Sequence, residues 1–192
     1  MLDKLLQGVE VRSLVGDGTV AVGRLEFDSR KVVPGTLFFA TRGTQADGHA
    51  YIPAAVAAGA AAVVCEELPA ERPVGVTFVQ VPDSTVALGQ VASAFYGHPS
   101  RRLKLVGVTG TNGKTTTATL LYRMFRRLGY KAGLISTVVY CVDDREIPST
   151  HTTPDSIRLN AMMAEMVEAG CDYCFMEVSS HSLVQHRTAG LA

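Results

Sequence analysis

The chain of 192 residues has no tryptophan, and its aromatic residues make up 7% of the total. Large aromatic anchors are therefore scarce. It has no net charge, with 18 Lys plus Arg against 18 Asp plus Glu. That excludes a global positive field for gathering nucleic acid or anionic membrane. It also lacks a long apolar run. The longest, "AAVAAGAAAVVC" at 54–65, contains Gly59 and falls short of the roughly 20 residues a membrane span needs. The start, "MLDKLLQGVE", has no basic segment leading into a longer apolar one, so no signal peptide is expected and the cytoplasm is the default location. Four cysteines (Cys65, Cys141, Cys171 and Cys174) are too few for a disulfide scaffold of this size. Cys171 and Cys174 form a lone CxxC with no second ligand pair at matching spacing. It runs into the apolar "YCFMEV" rather than opening a helix, so buried structural thiols are the expectation.

What remains is 47% hydrophobic, enough to bury a core. "GRLEFDSR" and "GTLFFA" read as strands around the turn "VVPG"; "IPAAVAAGA" reads as a short helix, and "AAVVC" and "GVTFVQV" as further strands. "DSTVALGQVASAFYG" starts with the capping residue Asp83 and continues as a helix to Gly97. The polar, basic "HPSRRLK" places a domain boundary near 98–103, giving domains at 1–99 and 100–192. After it, "LKLVGVTG" is an apolar strand. "KTTTATLLYRMFRRLG" is a helix with Ala118, Leu121, Phe125 and Leu128 at helical spacing, and Arg123, Arg126 and Arg127 on its wet side. "YKAGLIST" returns as a strand. Thr153 and Pro154 suit the N-cap and first position of a helix through "DSIRLNAMMAEMVEAG", whose Met162, Met163 and Met166 suit a core. "CDYCFMEV" is a last buried strand. The alternation predicts an α/β fold with parallel sheets and ligands at their carboxyl edge.

The chemistry concentrates in "VGVTGTNGKTTTATLL", 106–121. It departs from the common phosphate-loop spacing, because Val108 stands where the first glycine belongs. The physical requirement is looser than that spacing. Backbone N–H groups from a glycine-relieved turn, together with the positive end of a helix, already cradle an anion. Gly110 and Gly113 flank Thr111-Asn112, and a Lys-Thr pair follows at the expected helix start. Lys114 can reach the β- and γ-phosphates, and the Thr115 hydroxyl can ligate magnesium. The plainer alternative is a glycine-bearing strand-to-helix turn with a chance Lys-Thr. Glu177 closes an apolar strand and suits a Mg²⁺ or water-mediated contact; the plainer alternative is a cap for the following helix. "STHTTPDS", 149–156, offers hydroxyls and a histidine to a phosphate or sugar, or is simply a well-capped helix start.

Four stretches together, "FDSRKVVPGTLFFATRGTQADGH", "GVTGTNGKTTT", "HTTPDS" and "EVSSHSLVQHR", resemble the Mur ligase family across nearly the whole chain. The last stretch points to its UDP-N-acetylmuramoyl-tripeptide synthetase branch. The resemblance implies a small N-terminal α/β domain for a UDP-muramoyl-peptide, followed by the first part of a central P-loop domain. It implies ATP and Mg²⁺ as cofactors. The activity implied is addition of a diamino acid, meso-diaminopimelate or L-lysine, to UDP-N-acetylmuramoyl-L-alanyl-D-glutamate through an acyl phosphate, in peptidoglycan synthesis. By the same resemblance, Ser29, Thr44, Gln45 and Ala46 hold the uridine nucleotide, and Gly110, Thr111, Asn112, Gly113, Lys114, Thr115 and Thr116 hold ATP. Thr152, Thr153, Ser179, Gln185 and Arg187 hold the muramoyl-peptide, together with His151, which stands where some relatives carry asparagine. Lys114 and Glu177 are the catalytic candidates, with Thr115 and Glu177 on the metal. Family members run on considerably further, so these 192 residues are expected to carry the first half of an active site and no ligase turnover of their own. Two other classes stay open: another P-loop kinase, and a UDP-sugar-binding module with a vestigial loop.

Overall fold

The computed structural model describes residues 1–43 and 46–192. Contacts divide the chain into two compact units, Met1–Val91 and Ala92–Ala192. The division falls inside a helix, a little before the proline-bearing stretch expected to separate the domains.

The first unit runs α1 (Leu2–Leu5), β1 (Ser13–Val15), β2 (Arg24–Glu26), β3 (Thr36–Phe39), α2 (Ile52–Ala57), β4 (Ala60–Cys65) and β5 (Thr77–Gln80), then enters α3 (Ser84–Phe95). Its sheet order is β1-β5-β4-β3-β2, parallel except for the β1–β5 edge pair. β3 and β4 are buried on both faces, which is why they read as unbroken apolar runs. Phe38, Val63 and Phe78 meet Ile52 and Ala55 of α2 in one cluster. Asp83 caps α3 as expected, its carboxylate accepting from the Thr85 and Val86 amides at 2.8 and 2.9 Å.

The second unit continues with β6 (Lys104–Val108), α4 (Lys114–Arg127), β7 (Ala132–Ile135), β8 (Val139–Val142), β9 (Arg145–Pro148), α5 (Ser156–Glu168), β10 (Tyr173–Glu177) and α6 (Ser180–Val184). The sheet order is β6-β10-β7-β8-β9, and the first three strands are parallel. Alternation along the strands sorts side chains onto two faces. Ala132, Leu134 and Phe175 join Ala118, Leu121 and Phe125 of α4 on one side. Ile135, Cys174 and Met176 join Leu159, Met162, Met163 and Met166 of α5 on the other. The latter four lie at i, i+3, i+4 and i+7, and none is solvent-exposed. Each is worth roughly 1.5–3 kcal/mol by burial. Gly133 lets α5 approach the sheet, since a Cβ there would sit 2.2 Å from the Met166 sulfur.

Three expectations need correction. Asp155, not Thr153, caps α5, accepting from the Arg158 amide at 2.9 Å, and the helix begins at Ser156 beyond Pro154. Leu128 lies past the end of α4 and is 65% exposed, so the apolar stripe stops at Phe125. Arg126 does not simply face water: it is half-buried and pairs with Asp143 and Asp144. Those two aspartates form the turn of the β8–β9 hairpin, an antiparallel addition to the expected parallel sheet. All four cysteines are free and buried, and burial raises their thiol pKa values, that of Cys65 to about 11.

Candidate nucleotide-binding site

The parallel strands of the second unit end level with one another. Glu177 of β10 pairs with Val108 of β6, and Met176 pairs with Ile135 of β7. The three segments that leave this edge, together with Thr152 from the β9–α5 connection, enclose a cleft of about 700 Å³. Thr109–Thr115, Thr137, Thr152, Glu177 and Ser179–His181 line it. Open parallel sheets bind ligands at this edge because strand ends and helix N-termini converge there.

Glycine makes the turn from β6 into α4. Gly110 has φ 141° and Gly113, the N-cap of α4, has φ 80°; both lie in the region that disfavours side chains. A Cβ at Gly113 would meet nothing within 4 Å, so backbone conformation rather than space selects glycine there. No side chain caps α4, and the amides of residues 111–115 have no partner among the described residues. A helix N-terminus left with unsatisfied donors is an anion site in waiting. Lys114 folds back across the turn, donating to the Gly110 and Thr111 carbonyls at 2.7 and 3.4 Å. Its ammonium is thereby held over the cradle.

Glu177 faces the turn from the end of β10 and is 1% exposed. Its carboxylate accepts from the Thr115 hydroxyl (3.0 Å), the Thr137 amide (2.7 Å) and the Thr137 hydroxyl (3.2 Å). All three donors are neutral. A buried carboxylate without a cation beside it is costly. An oxygen-ligated divalent ion supplied with phosphate oxygens and water would relieve that cost, and the Thr115 hydroxyl with the Glu177 carboxylate is the hard donor set such an ion takes. No group of three or more His, Cys, Asp or Glu side chains converges on a metal position among the described residues. The site thus fits an ion brought in with its nucleotide rather than a protein-only cage. Glu177 is not the cap of the next helix: Ser179 is, accepting from the Ser182 amide at 3.1 Å.

The other candidates divide. Thr152 lines the cleft, its hydroxyl 3.1 Å from that of Thr137. Thr153 is buried and committed internally, donating to the Glu177 carbonyl at 2.8 Å and accepting from the Ser179 amide at 3.2 Å. It staples the 149–156 segment to the end of β10. Arg187 donates to the Thr153 carbonyl (2.6 Å) and to Gln185 Oε1 (2.9 Å), which ties these three residues to one another, outside the lining of the cleft. His151 is exposed, and its backbone amide and carbonyl both meet the Tyr140 hydroxyl. Thr116 lies on the exposed side of the first turn of α4. Ser29 and Ala46 belong to the first unit: Ser29 starts a 3₁₀ turn (Ser29–Lys31) capped by Asp28, and the exposed Ala46 accepts from the Gly43 amide at 2.9 Å. Thr44 and Gln45 fall outside the described residues. The residue sequence reasoning missed is Thr137. Its only signal was a hydroxyl following the strand in "LIST".

The fold and this edge define an α/β protein with a glycine-turned strand–loop–helix cradle facing a buried carboxylate. Two family descriptions match the chain: "Mur ligase family, catalytic domain" over residues 22–96, and "Mur ligase middle domain" over 108–192. The chain belongs to the Mur ligase family, of which it carries the N-terminal and middle regions. Among curated relatives, it is similar to UDP-N-acetylmuramoyl-L-alanyl-D-glutamate--2,6-diaminopimelate ligases. That of Bacteroides thetaiotaomicron is 53% identical over 191 residues, covering 100% of this chain and 40% of the relative. That of Bacteroides fragilis is 56% identical over 190 residues, covering 99% and 39%. The chain thus spans about 40% of the length of these relatives. A solved ligase of the same description superposes with a TM-score of 0.73 at 26% identity, over 88% of this chain and 34% of that one. The fold also resembles that of the MurF ligase from Thermotoga maritima, solved in complex with ADP. There the TM-score is 0.54 at 22% identity, over 82% of this chain and 32% of the other.

Proposed function

We propose that this chain is the substrate- and ATP-binding part of a cytoplasmic ligase of peptidoglycan synthesis. The ligase adds a diamino acid to UDP-N-acetylmuramoyl-L-alanyl-D-glutamate. The observation that carries the reading is the cradle itself: unpartnered amides of residues 111–115, with Lys114 above them and buried Glu177 opposite. In this reading residues 1–99 hold the uridine nucleotide through Ser29 and the 44–46 stretch, and residues 100–192 hold ATP.

The roles follow from the chemistry. The amides cradle the β- and γ-phosphates, and Lys114 exchanges its loop carbonyls for phosphate oxygens. Thr115 and Glu177 would hold Mg²⁺, which would supply charge neutralisation for the phosphates. The γ-phosphoryl group passes to the D-glutamate side carboxylate, releasing ADP and leaving an acyl phosphate. The acceptor amine attacks the acyl carbon and loses a proton, and phosphate departs as the amide forms. In this reading Thr152, His151, Ser179, Gln185 and Arg187 orient the peptide acid, so rate comes mainly from positioning and electrostatics.

The test is ADP release by the full-length protein. It should require both the UDP-muramoyl-dipeptide and a diamino acid, and fall at least a hundredfold in Lys114→Ala. ADP release needing no amine would favour a kinase instead. Calorimetric binding of the UDP-substrate without any binding of ATP would leave only a sugar-nucleotide module.

A further inference from the structure

In the second unit a buried phenol ties down one side of the cleft, and the proposed chemistry leaves it unused. Tyr140 lies in β8, between Ile135 of β7 and Ile147 of β9. It is 1% exposed and belongs to the same core cluster as Leu159 of α5. A phenylalanine ring would fill that space as well, so packing does not account for the hydroxyl. The hydroxyl instead holds one short stretch of chain. It donates to the His151 carbonyl at 2.5 Å and accepts from the amides of His151 and Thr150 at 3.0 and 3.4 Å. A phenol offers one donor and two acceptor positions. All three are directed to the connection between β9 and α5.

That connection is fixed at both ends. Ser149 donates to the Ser136 carbonyl at 2.9 Å, just past β7, and to the His151 carbonyl at 3.2 Å. At the other end Thr153 is bonded to the Glu177 carbonyl and the Ser179 amide. Between the two anchors stands Thr152, which lines the cleft with its hydroxyl 3.1 Å from that of Thr137. Thr137 in turn donates to the Glu177 carboxylate at 3.2 Å, and the Thr115 hydroxyl meets the same oxygen at 3.0 Å. Thr152 therefore ends a polar row that begins at the nucleotide turn. Where that row ends depends on the backbone that Tyr140 holds.

We propose that Tyr140 is a positioning residue for the muramoyl-peptide. Its hydroxyl sets the 149–152 backbone so that the Thr152 hydroxyl stands at a fixed place before the peptide acid arrives. The proposal rests on the reading that Thr152 helps to orient that acid. Tyr140 does not line the cleft, so it acts only through this segment. Without the phenol oxygen, water can serve the freed amides, but the segment loses its single preferred position. Ordering it then falls to the substrate, at a cost in affinity. The phosphate cradle, which Tyr140 does not touch, is left as it was.

The experiment uses the full-length protein and UDP-N-acetylmuramoyl-L-alanyl-D-glutamate itself. Tyr140→Phe keeps the ring and removes only the oxygen. It should raise KM for this substrate about tenfold, the scale of one or two lost hydrogen bonds, with KM for ATP unmoved. Ser149→Ala loosens the same segment without touching the core, and should raise the same KM by a smaller factor. A double-mutant cycle with Thr152→Val shows whether the effect travels through Thr152: in that background Tyr140→Phe should add less than about twofold. A lowered Tm with both KM values unchanged would make the hydroxyl structural only and overturn the proposal. Full additivity with Thr152→Val, or an equal rise in KM for ATP, would overturn it too. A wild-type protein that does not bind the UDP-substrate would instead refute the proposed function, and this proposal with it.

Discussion

Glu177 offers the sharpest separation of structure from function. In Glu177→Gln the side-chain carbonyl keeps the 2.7 Å bond from the Thr137 amide, and the new NH₂ faces the Thr115 and Thr137 hydroxyls, which can rotate to accept. Three charge-assisted bonds become ordinary ones, a loss of about 3 kcal/mol. Removing a buried charge returns a similar amount. Net stability should therefore change by no more than about 1–2 kcal/mol, which for a protein of this size is within about 8 °C in Tm. Glu177→Ala differs, because it leaves the Thr137 amide unpaired and opens a void. We expect it to cost about 2–4 kcal/mol, or roughly 5–15 °C. Binding should not follow stability. Both variants lose the carboxylate, so both should weaken ATP·Mg²⁺ by about tenfold or more, measured by titration calorimetry with and without the metal alongside a thermal melt. If Glu177→Gln binds ATP·Mg²⁺ as tightly as wild type, the carboxylate only organises Thr137, and the metal role assigned to it is wrong.

Other outcomes are equally concrete. Gly113→Ala forces an alanine to φ 80°, which costs about 1–2 kcal/mol; because the space there is open, the loss should appear in nucleotide affinity and Tm but not in expression of folded protein. Gly133→Ala drives a methyl group into Met166 and should cost about 1–3 kcal/mol by overpacking, with Met166→Ala on the same chain recovering part of the loss in chemical denaturation. None of the four thiols should react with a thiol reagent at pH 8 in the native protein, and all four should react once it is unfolded. Because burial raises the folded thiol pKa, the unfolded chain loses its thiol protons first. Stability should hold up to about pH 8.5 and then fall as pH rises toward the folded Cys65 value of about 11; a flat melting temperature across that window would refute the burial of these groups.

Much of the molecule was legible from periodicity and punctuation. The α4 run, the methionine face of α5 and the unbroken apolar strands declared themselves because each must satisfy a 3.6- or 2-residue repeat against a core. The β8–β9 hairpin did not, since its strands are only four residues long and its Asp143-Asp144 turn lacks glycine. Asp143 nevertheless takes φ 52°, held with Asp144 by Arg126 from α4, a partner 17 residues away. Thr153 looked like a helix cap for the good reason that Thr-Pro often is one. Its hydroxyl went instead to the Glu177 carbonyl and the Ser179 amide, a competition that only a neighbouring strand could enter.

The sequence by itself determined the strand–turn–helix around Gly110 and Gly113, because glycine conformation, helix start and lysine placement all act within a few covalent bonds of one another. Only the tertiary structure decided what faces that turn. Glu177 at the end of β10 and Thr137 just past β7 lie 62 and 22 residues beyond Thr115, and the three are brought together by the parallel register of β6, β10 and β7. Register is set by which side chains can share a buried face, and that is a property of the assembled sheet, written in no single segment.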